Sequence, residues 1–289
     1  MTEEQPEPET NVNARNWHCD TKRPSVTIIS TVYNGAKYLA PLLDSMKAQT
    51  SQDWCCILVD DGSTDDSPQI LSCYAEADTR FRVITQTNHG CGEARNTALK
   101  NVTTPYVMFA DQDDLLHPQS VEIALSAIRE ADADCLLFGF AHFTNKPDLA
   151  VYTVRPVPVR ESRNGTELIT GRRDSWPILV WRHIFRASAA KPVPFPPISG
   201  GEDQAWMTEM SWRGLKWASI PTCLYYNRIT PDSRSRGASK RYRENVLASY
   251  GWIRARAANY DVDARWLGSF LRHMKFMFNL SCLYRRLFR

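Results

Sequence analysis

No run of eighteen apolar residues occurs in this sequence, which excludes an ordinary membrane-spanning helix. Its eight cysteines form no CxxC pair, so neither a zinc ribbon nor a dithiol redox site is expected. Several of them sit in apolar runs where a free thiol behaves as a small hydrophobe, the pattern of a reduced, cytosolic protein. No G-x-G-x-x-G follows any strand-like run, which argues against a dinucleotide dehydrogenase. The opening MTEEQPEPETN is acidic and Pro-rich and lacks an apolar h-region, so residues 1–23 read as a disordered lead-in rather than a signal peptide.

What is present suits one large α/β domain with an appendage. The chain has 289 residues, 43% of them hydrophobic, enough for a sizeable core. Its net charge of +3 conceals an asymmetry, because residues 228–289 carry 14 Lys and Arg against 4 Asp and Glu. The C-terminal piece is therefore strongly basic and the rest is acidic.

Four strand–helix units follow one another at about thirty-residue spacing. Ser25–Val32 is β-branched and leads into Tyr33-Asn34-Gly35, then into a helical pattern of Tyr38, Leu39, Leu42, Leu43 and Met46. Trp54–Val59 ends in Asp60-Asp61-Gly62-Ser63-Thr64-Asp65 before a helix marked by Ile70, Leu71 and Tyr74. Phe81–Thr85 leads into Asn88–Asn96, containing Arg95, and a helix through Leu99. Tyr106–Ala110 then stops abruptly on Asp111, Asp113 and Asp114. Such an order implies a mostly parallel sheet, whose ligands bind outside the carboxyl ends of the strands, where each polar cluster falls.

In extended chain, Asp111 and Asp113 would face the same side and could share a divalent cation with a bound phosphate. Asp114 suits the cap of the helix that Pro118 begins, and all three carboxylates could equally be turn and cap residues. Tyr33 could stack on a nucleobase, Asp60 and Asp61 could accept from base or ribose, and Arg95 could pair with a phosphate or with the acidic edge.

Beyond residue 134 the pattern changes. Cys135–Phe143 and Val151–Val159 read as antiparallel strands joined by a turn at 145–148, Trp176–Phe185 is apolar, and Lys191–Pro197 is too Pro-rich for regular structure. Ser199-Gly200-Gly201 looks like a mobile approach to a helix that begins with Glu202 and Asp203, where capping alone could explain both acids. Lys216–Asn227 reads as a last strand, Arg228–Lys240 as a loop, and Arg241–Ala258 and Asp263–Leu283 as two helices. The second has an apolar stripe of Trp266, Leu267, Phe270, Leu271, Met274, Met277 and Phe278 beside Arg265, Arg272 and Lys275. A helix of this kind lies in a membrane interface or packs on its own domain.

Four segments carry a family resemblance: PSVTIISTVYNGAKYLAPLLDSMKAQT, ILVDDGSTDDSPQIL, NHGCGEARNTAL and YVMFADQDDLLHP. In this order and spacing they resemble the inverting family 2 glycosyltransferases of GT-A fold, from about Pro24 to Pro118. The likeness resumes more weakly in VWRHIFRASA, GGEDQAW and CLYYNRITPDS. It implies an α/β fold in which residues 24–238 form the transferase domain, 24–118 being the nucleotide-sugar half and 119–238 a mixed acceptor half. Residues 239–289 would be a basic helical extension.

The implied reaction moves a sugar from a nucleotide donor, usually a UDP-sugar, to an acceptor hydroxyl with inversion. Carried over by position, Asp203 is the general base and Asp113 ligates Mn²⁺ or Mg²⁺, with Asp111 facing the ribose or the metal shell. Thr31, Tyr33, Asp60, Asp61, Arg95, Glu202 and Trp181 join Asp111 as substrate-binding positions. A glycan or lipid-linked acceptor is expected, at the inner face of an anionic membrane if the basic tail attaches there. No nucleic-acid-binding motif accompanies that tail. Two rivals remain: a sugar-nucleotide-binding protein without turnover, and a nucleotidyltransferase of similar architecture. The latter needs a Gly-rich, cationic loop after the first strand, and Thr31-Val32-Tyr33-Asn34-Gly35 is not one.

Overall fold

The computed structural model describes residues 24–144, 161–162, 179–198, 200–230 and 240–287. The lead-in, the expected strand at 151–159 with its turn, Trp176 and Ser199 lie outside the described residues, as does most of the expected loop after Arg228.

The first half alternates β1 (Val26–Val32), α1 (Ala36–Lys47), β2 (Trp54–Asp60), α2 (Ser67–Ala77), β3 (Phe81–Thr85), α3 (Cys91–Asn101) and β4 (Tyr106–Phe109). The strand bounds lie within one residue of those expected, whereas α3 begins at Cys91, inside the polar cluster read as preceding it. β1, β2 and β4 are buried on both faces, as central strands covered by crossover helices must be, which is why they read as continuous apolar runs. Alternation sends Ile28, Leu58 and Met108 to one side, under the Leu39, Leu42, Leu43 and Met46 stripe of α1. Ile29, Val59, Val107 and Phe109 go to the other, against Ala94 and Ala98 of α3 and Trp206.

After β4 come β5 (Leu115–Leu116), α4 (Ser120–Glu130), β6 (Cys135–Phe143) and β7 (Glu161–Ser162). A 3-10 turn (Val180–Arg182) precedes β8 (His183–Arg186) and the single-turn α5 (Ala187–Ala190). Next are α6 (Glu202–Ser211), β9 (Trp217–Arg228), α7 (Lys240–Ala257) and α8 (Ala264–Leu287). The described strands form one nine-stranded sheet ordered β3-β2-β1-β4-β8-β6-β9-β5, with β7 also on β9. The β3-β2-β1-β4 half is parallel, and the sheet turns mixed where β8 runs antiparallel to β4. β6 is antiparallel to β8 and parallel to β9. In the parallel half the strand order reverses direction at β1, and ligands of such sheets bind outside the strand ends at that point.

The apolar stripe of the last helix, read as lying in a membrane interface or packing on its own domain, packs on neighbouring helices where it is described. Phe270, Leu271 and Met274 of α8 are buried, with Trp266 and Leu267 packed beside them, against Ala205 of α6 and Val246, Tyr250 and Ile253 of α7. As far as Met274 the stripe covers the protein's own helices. No helix among the described residues is long and apolar enough to cross one.

Candidate active site

Parallel register brings the polar clusters to one edge. Val32 pairs with Asp60 and Ile29 with Phe109, so Tyr33, Asp61 and Asp111 all emerge at the carboxyl ends of adjacent strands. The first two turns are laced together: Asn34 N–H donates to Ser63 Oγ (3.0 Å), Gly35 N–H to Ser67 Oγ (2.9 Å) and Ala36 N–H to Asp65 Oδ2 (3.0 Å). The far end of the DDGSTDDS segment thus satisfies the open amides at the start of α1.

Asp60 accepts from Ser63 N–H (3.0 Å) and closes its own turn. Asp61 is buried and accepts from Gln86 Nε2 (2.8 Å), His89 N–H (3.0 Å) and Gly90 N–H (2.8 Å). It fixes the approach to α3. A carboxylate has about four acceptor positions, and these bonds use three of them. Tyr33, 40% exposed, leaves its ring face open while Gln112 holds its backbone, accepting from Tyr33 N–H (2.9 Å) and donating to Tyr33 O (3.2 Å). Thr31 lies partly buried beneath, its Oγ1 3.1 Å from Cys91 Sγ.

Asp111 to Asp114 form a turn closed by Asp114 N–H to Asp111 O (3.1 Å), not the extended chain expected. Asp114 is no helix cap. Helix α4 starts two residues beyond Pro118, without a side-chain cap, while Asp114 is fully buried. It accepts from Tyr225 Oη (2.8 Å), Asn227 Nδ2 (3.1 Å) and Arg228 N–H (2.6 Å). Burial, then the neighbouring Asp113 and Asp111 carboxylates, push its pKa well above the usual carboxylate range. Tyr225 also accepts Asp111 N–H (2.9 Å), and Arg228 Nε donates to Asp113 O (2.7 Å). Thus β9 holds the acidic turn in place.

Arg95 is the centre of the arrangement. Buried on α3, it donates through Nη2 to Asp111 Oδ1 (3.0 Å) and through Nη1 to Asp203 Oδ1, and it lies 3.4 Å from Glu202 Oε1. It pairs with the acidic edge, which joins acids from two distant segments. Asp203 lies in the first turn of α6 behind the N-cap Gly201, and its Oδ1 accepts from Arg95, a contact that capping does not require. Glu202 Oε2 accepts Gly200 N–H (2.8 Å).

The Asp203 side chain is 18% exposed, so an incoming group can reach it. Burial raises its pKa; the Arg95 guanidinium works against this and the Glu202 and Asp111 carboxylates with it, leaving the group at about 8.

Trp181, expected among the substrate contacts, is a core residue. It is 4% exposed, stacks on Tyr225 (centroids 4.6 Å apart, 18° between planes) and meets Phe140 edge-on at 5.0 Å. It reaches the site only through Tyr225. Gly200 and Gly201 are a tight seat against α7 rather than a mobile approach. Their φ values are +126° and +79°, and a Cβ on Gly201 would lie 2.9 Å from Ser249 Oγ. Among the described residues no three acidic, His or Cys side chains are grouped to enclose a cation unaided. Asp111 and Asp113, partly exposed oxygen donors on one turn, suit a Mg²⁺-like ion that takes one or two carboxylates and completes its shell from phosphates and water.

The family model for glycosyl transferase family 2 matches residues 27–185, more than half of the chain. The chain is a family 2 glycosyltransferase. It is 36% identical over 218 residues to glycosyltransferase GlyA of Streptococcus pneumoniae, covering 73% of this chain and 31% of GlyA. It is 29% identical over 239 residues to the putative glycosyltransferase EpsH of Bacillus subtilis, covering 78% of this chain and 67% of EpsH. A 109-residue match, 39% identical, joins it to a teichoic acid poly(glycerol phosphate) polymerase of Staphylococcus epidermidis, covering 37% of this chain and 15% of that protein. Among solved structures, S. aureus TarS in complex with UDP-GlcNAc superposes with a TM-score of 0.70 at 22% identity, over 86% of this chain and 70% of that one. A Pyrobaculum calidifontis mannosyltransferase bound to GDP-Man and Mn²⁺ gives 0.56 at 16% identity, over 93% and 88%. These likenesses establish the GT-A fold of this glycosyltransferase. Its acidic turn and Arg95 lie inside the matched span; Glu202, Asp203 and the helices that hold them lie beyond it.

Proposed function

We propose that this glycosyltransferase moves a sugar from a nucleoside-diphosphate donor, a UDP-sugar, to an acceptor hydroxyl with inversion at the anomeric carbon, and that Asp203 is the base. The observation that carries this reading is the Arg95 cluster. One buried guanidinium ties the acidic turn at the donor strands to Asp203, which is at once accessible and raised in pKa.

In the proposed step the acceptor oxygen forms a bond to the anomeric carbon as the bond from that carbon to the diphosphate oxygen breaks. The electron pair leaves with the diphosphate. The hydroxyl proton passes to Asp203 Oδ2, for Oδ1 is engaged by Arg95. A base with a pKa near the working pH is well matched to this task. Tyr33 offers a ring for the nucleobase and Asp61 its remaining acceptor position for a base N–H, while Asp60 and Thr31 shape the floor. Mn²⁺ or Mg²⁺, held by Asp113 and Asp111, would neutralise the charge gathering on the diphosphate.

The acceptor is read as a glycan or lipid-linked glycan of the cell surface, in keeping with the kind of relatives the chain matches. Exposed Arg254, Arg265, Arg272 and Lys275 could meet an anionic membrane, but with the stripe packed inward such a contact would rest on charge.

The test is Asp203→Asn. It preserves size and hydrogen bonding to Arg95 but cannot take a proton. Turnover should fall by roughly 10²–10⁴-fold, the usual range for general-base catalysis, while UDP affinity in the presence of Mn²⁺ changes little. Near-normal turnover in this variant would refute Asp203 as the base.

A further inference from the structure

The helix that carries Asp203 is built into the C-terminal pair α7 and α8, which lies outside the span matched by the family model. At its start, Gly201 lies close against α7: a Cβ there would stand 2.9 Å from Ser249 Oγ, 3.1 Å from Ser249 Cβ and 3.3 Å from Val246 Cα. One residue earlier, a Cβ on Gly200 would stand 3.1 Å from the Tyr242 ring. Ser249 is fully buried, and its hydroxyl turns back to donate to Val246 O (2.7 Å). Against Gly201 it acts as a small residue that lets the two segments touch.

At the other end of α6, buried Glu209 accepts from Arg256 Nε (2.8 Å), makes a second contact to Arg256 Nη2, and accepts from Tyr260 Oη (2.9 Å). Between these points Ala205 packs on Val246 and Ile253, and Gln204 Nε2 lies 3.4 Å from Met274 Sδ. A helix of ten residues is about 15 Å long, so contacts at its two ends and middle leave it little freedom to tilt or slide.

We propose that α7 and α8 are a positioning element for the reaction: Tyr242 seats Gly200, Ser249 and Val246 seat Gly201, Arg256 anchors Glu209, and together they set where Asp203 stands against Arg95. This rests on the reading of Asp203 as the base. Ser249 and Arg256 touch no reacting atom and act through α6. Misplacement of a catalytic group by about 1 Å can cost on the order of 10²-fold in rate, whereas the donor strands, with Tyr33, Asp61 and Asp113, do not depend on α7 for their register.

The experiment compares kcat, donor KM and calorimetric UDP affinity with Mn²⁺ in the full chain. Ser249→Leu thickens the Gly201 contact and Arg256→Met releases Glu209. At least one of these is expected to lower kcat about 10- to 100-fold with donor KM and UDP affinity within about twofold of wild type. Ser249→Ala, which keeps the seat small, should restore most of the loss. Leu247→Ala, on the exposed side of α7, serves as the control at wild-type rate. If Ser249→Leu fails to fold, Arg256→Met alone decides. Wild-type kcat in every folded variant overturns the proposal, and so does parallel loss of kcat and UDP affinity, which marks general destabilisation. Asp203→Asn measured alongside separates the two readings: if it is active the base assignment fails, and if it is inactive while both positioning variants turn over normally, only the positioning role fails.

Discussion

Asp203 carries the sharpest consequence at the scale of single residues. With a carboxyl at about 8, the ionised fraction falls about tenfold per pH unit below that value, and only the ionised form accepts a proton. The acid limb of kcat/KM should therefore lie near pH 8 rather than near 4. A limb in the ordinary carboxylate range would mean that Arg95 dominates over burial. His183 titrates in the opposite sense. Burial, then Arg182, lowers it to about 3 against hydrogen bonds with the backbone that raise it. The folded protein keeps it neutral, so the stability it contributes is present above about pH 6.5 and is lost as pH falls toward 3, by about 1.4 kcal/mol per unit. Replacing it by Gln should flatten acid unfolding by about one proton, measured as the pH slope of denaturant stability. An unchanged slope would place the acid sensitivity elsewhere. Residue types alone distinguished these roles poorly. Asp111 and Asp114 look alike in the motif, yet one salt-bridges Arg95 and the other is sealed under Tyr225, Asn227 and Arg228, partners more than 110 positions away. Trp181 misled for a related reason, since an aromatic that stacks on a ligand and one that stacks on Tyr225 have the same sequence signature.

Among the elements, the turn after β4 is where metal dependence should arise. Asp113→Ala should abolish the Mn²⁺ dependence of UDP affinity and leave the fold intact, because β9 holds the turn through the Asp113 carbonyl and the Asp114 side chain, both of which the variant keeps. Calorimetry with and without EDTA checks this; UDP affinity that ignores both EDTA and the substitution would remove the cation from the account. The parallel half was legible because hydrophobic runs, turn residues and helical stripes agreed at each step. Less could be read where pairing partners are remote in sequence. β5 has two residues and exists through its pairing with β9, and nothing local to β6 shows that β9 will lie parallel to it. The Gly200-Gly201 pair has the same origin, since flexible and tightly packed glycines differ only in what faces them, here α7.

For the whole molecule, the motif order and spacing conveyed the family and the GT-A architecture, and the family match with the solved neighbours agrees. Charge and composition said little about how the C-terminal helices are used. A stripe of Trp, Phe, Leu and Met beside cations serves a membrane or a helix interface equally well, and only the packing on α6 and α7 distinguishes them. Donor and acceptor identity depend on pocket shape rather than on any motif in the chain. A screen of UDP-, GDP- and dTDP-sugars for released nucleoside diphosphate, with and without Mn²⁺, supplies the donor. With that donor, the most direct test of single-displacement transfer is the anomeric configuration of the newly formed product, read by NMR early in turnover. One displacement on an α-linked donor gives a β-glycoside. An α-glycoside as the first-formed product would contradict the mechanism.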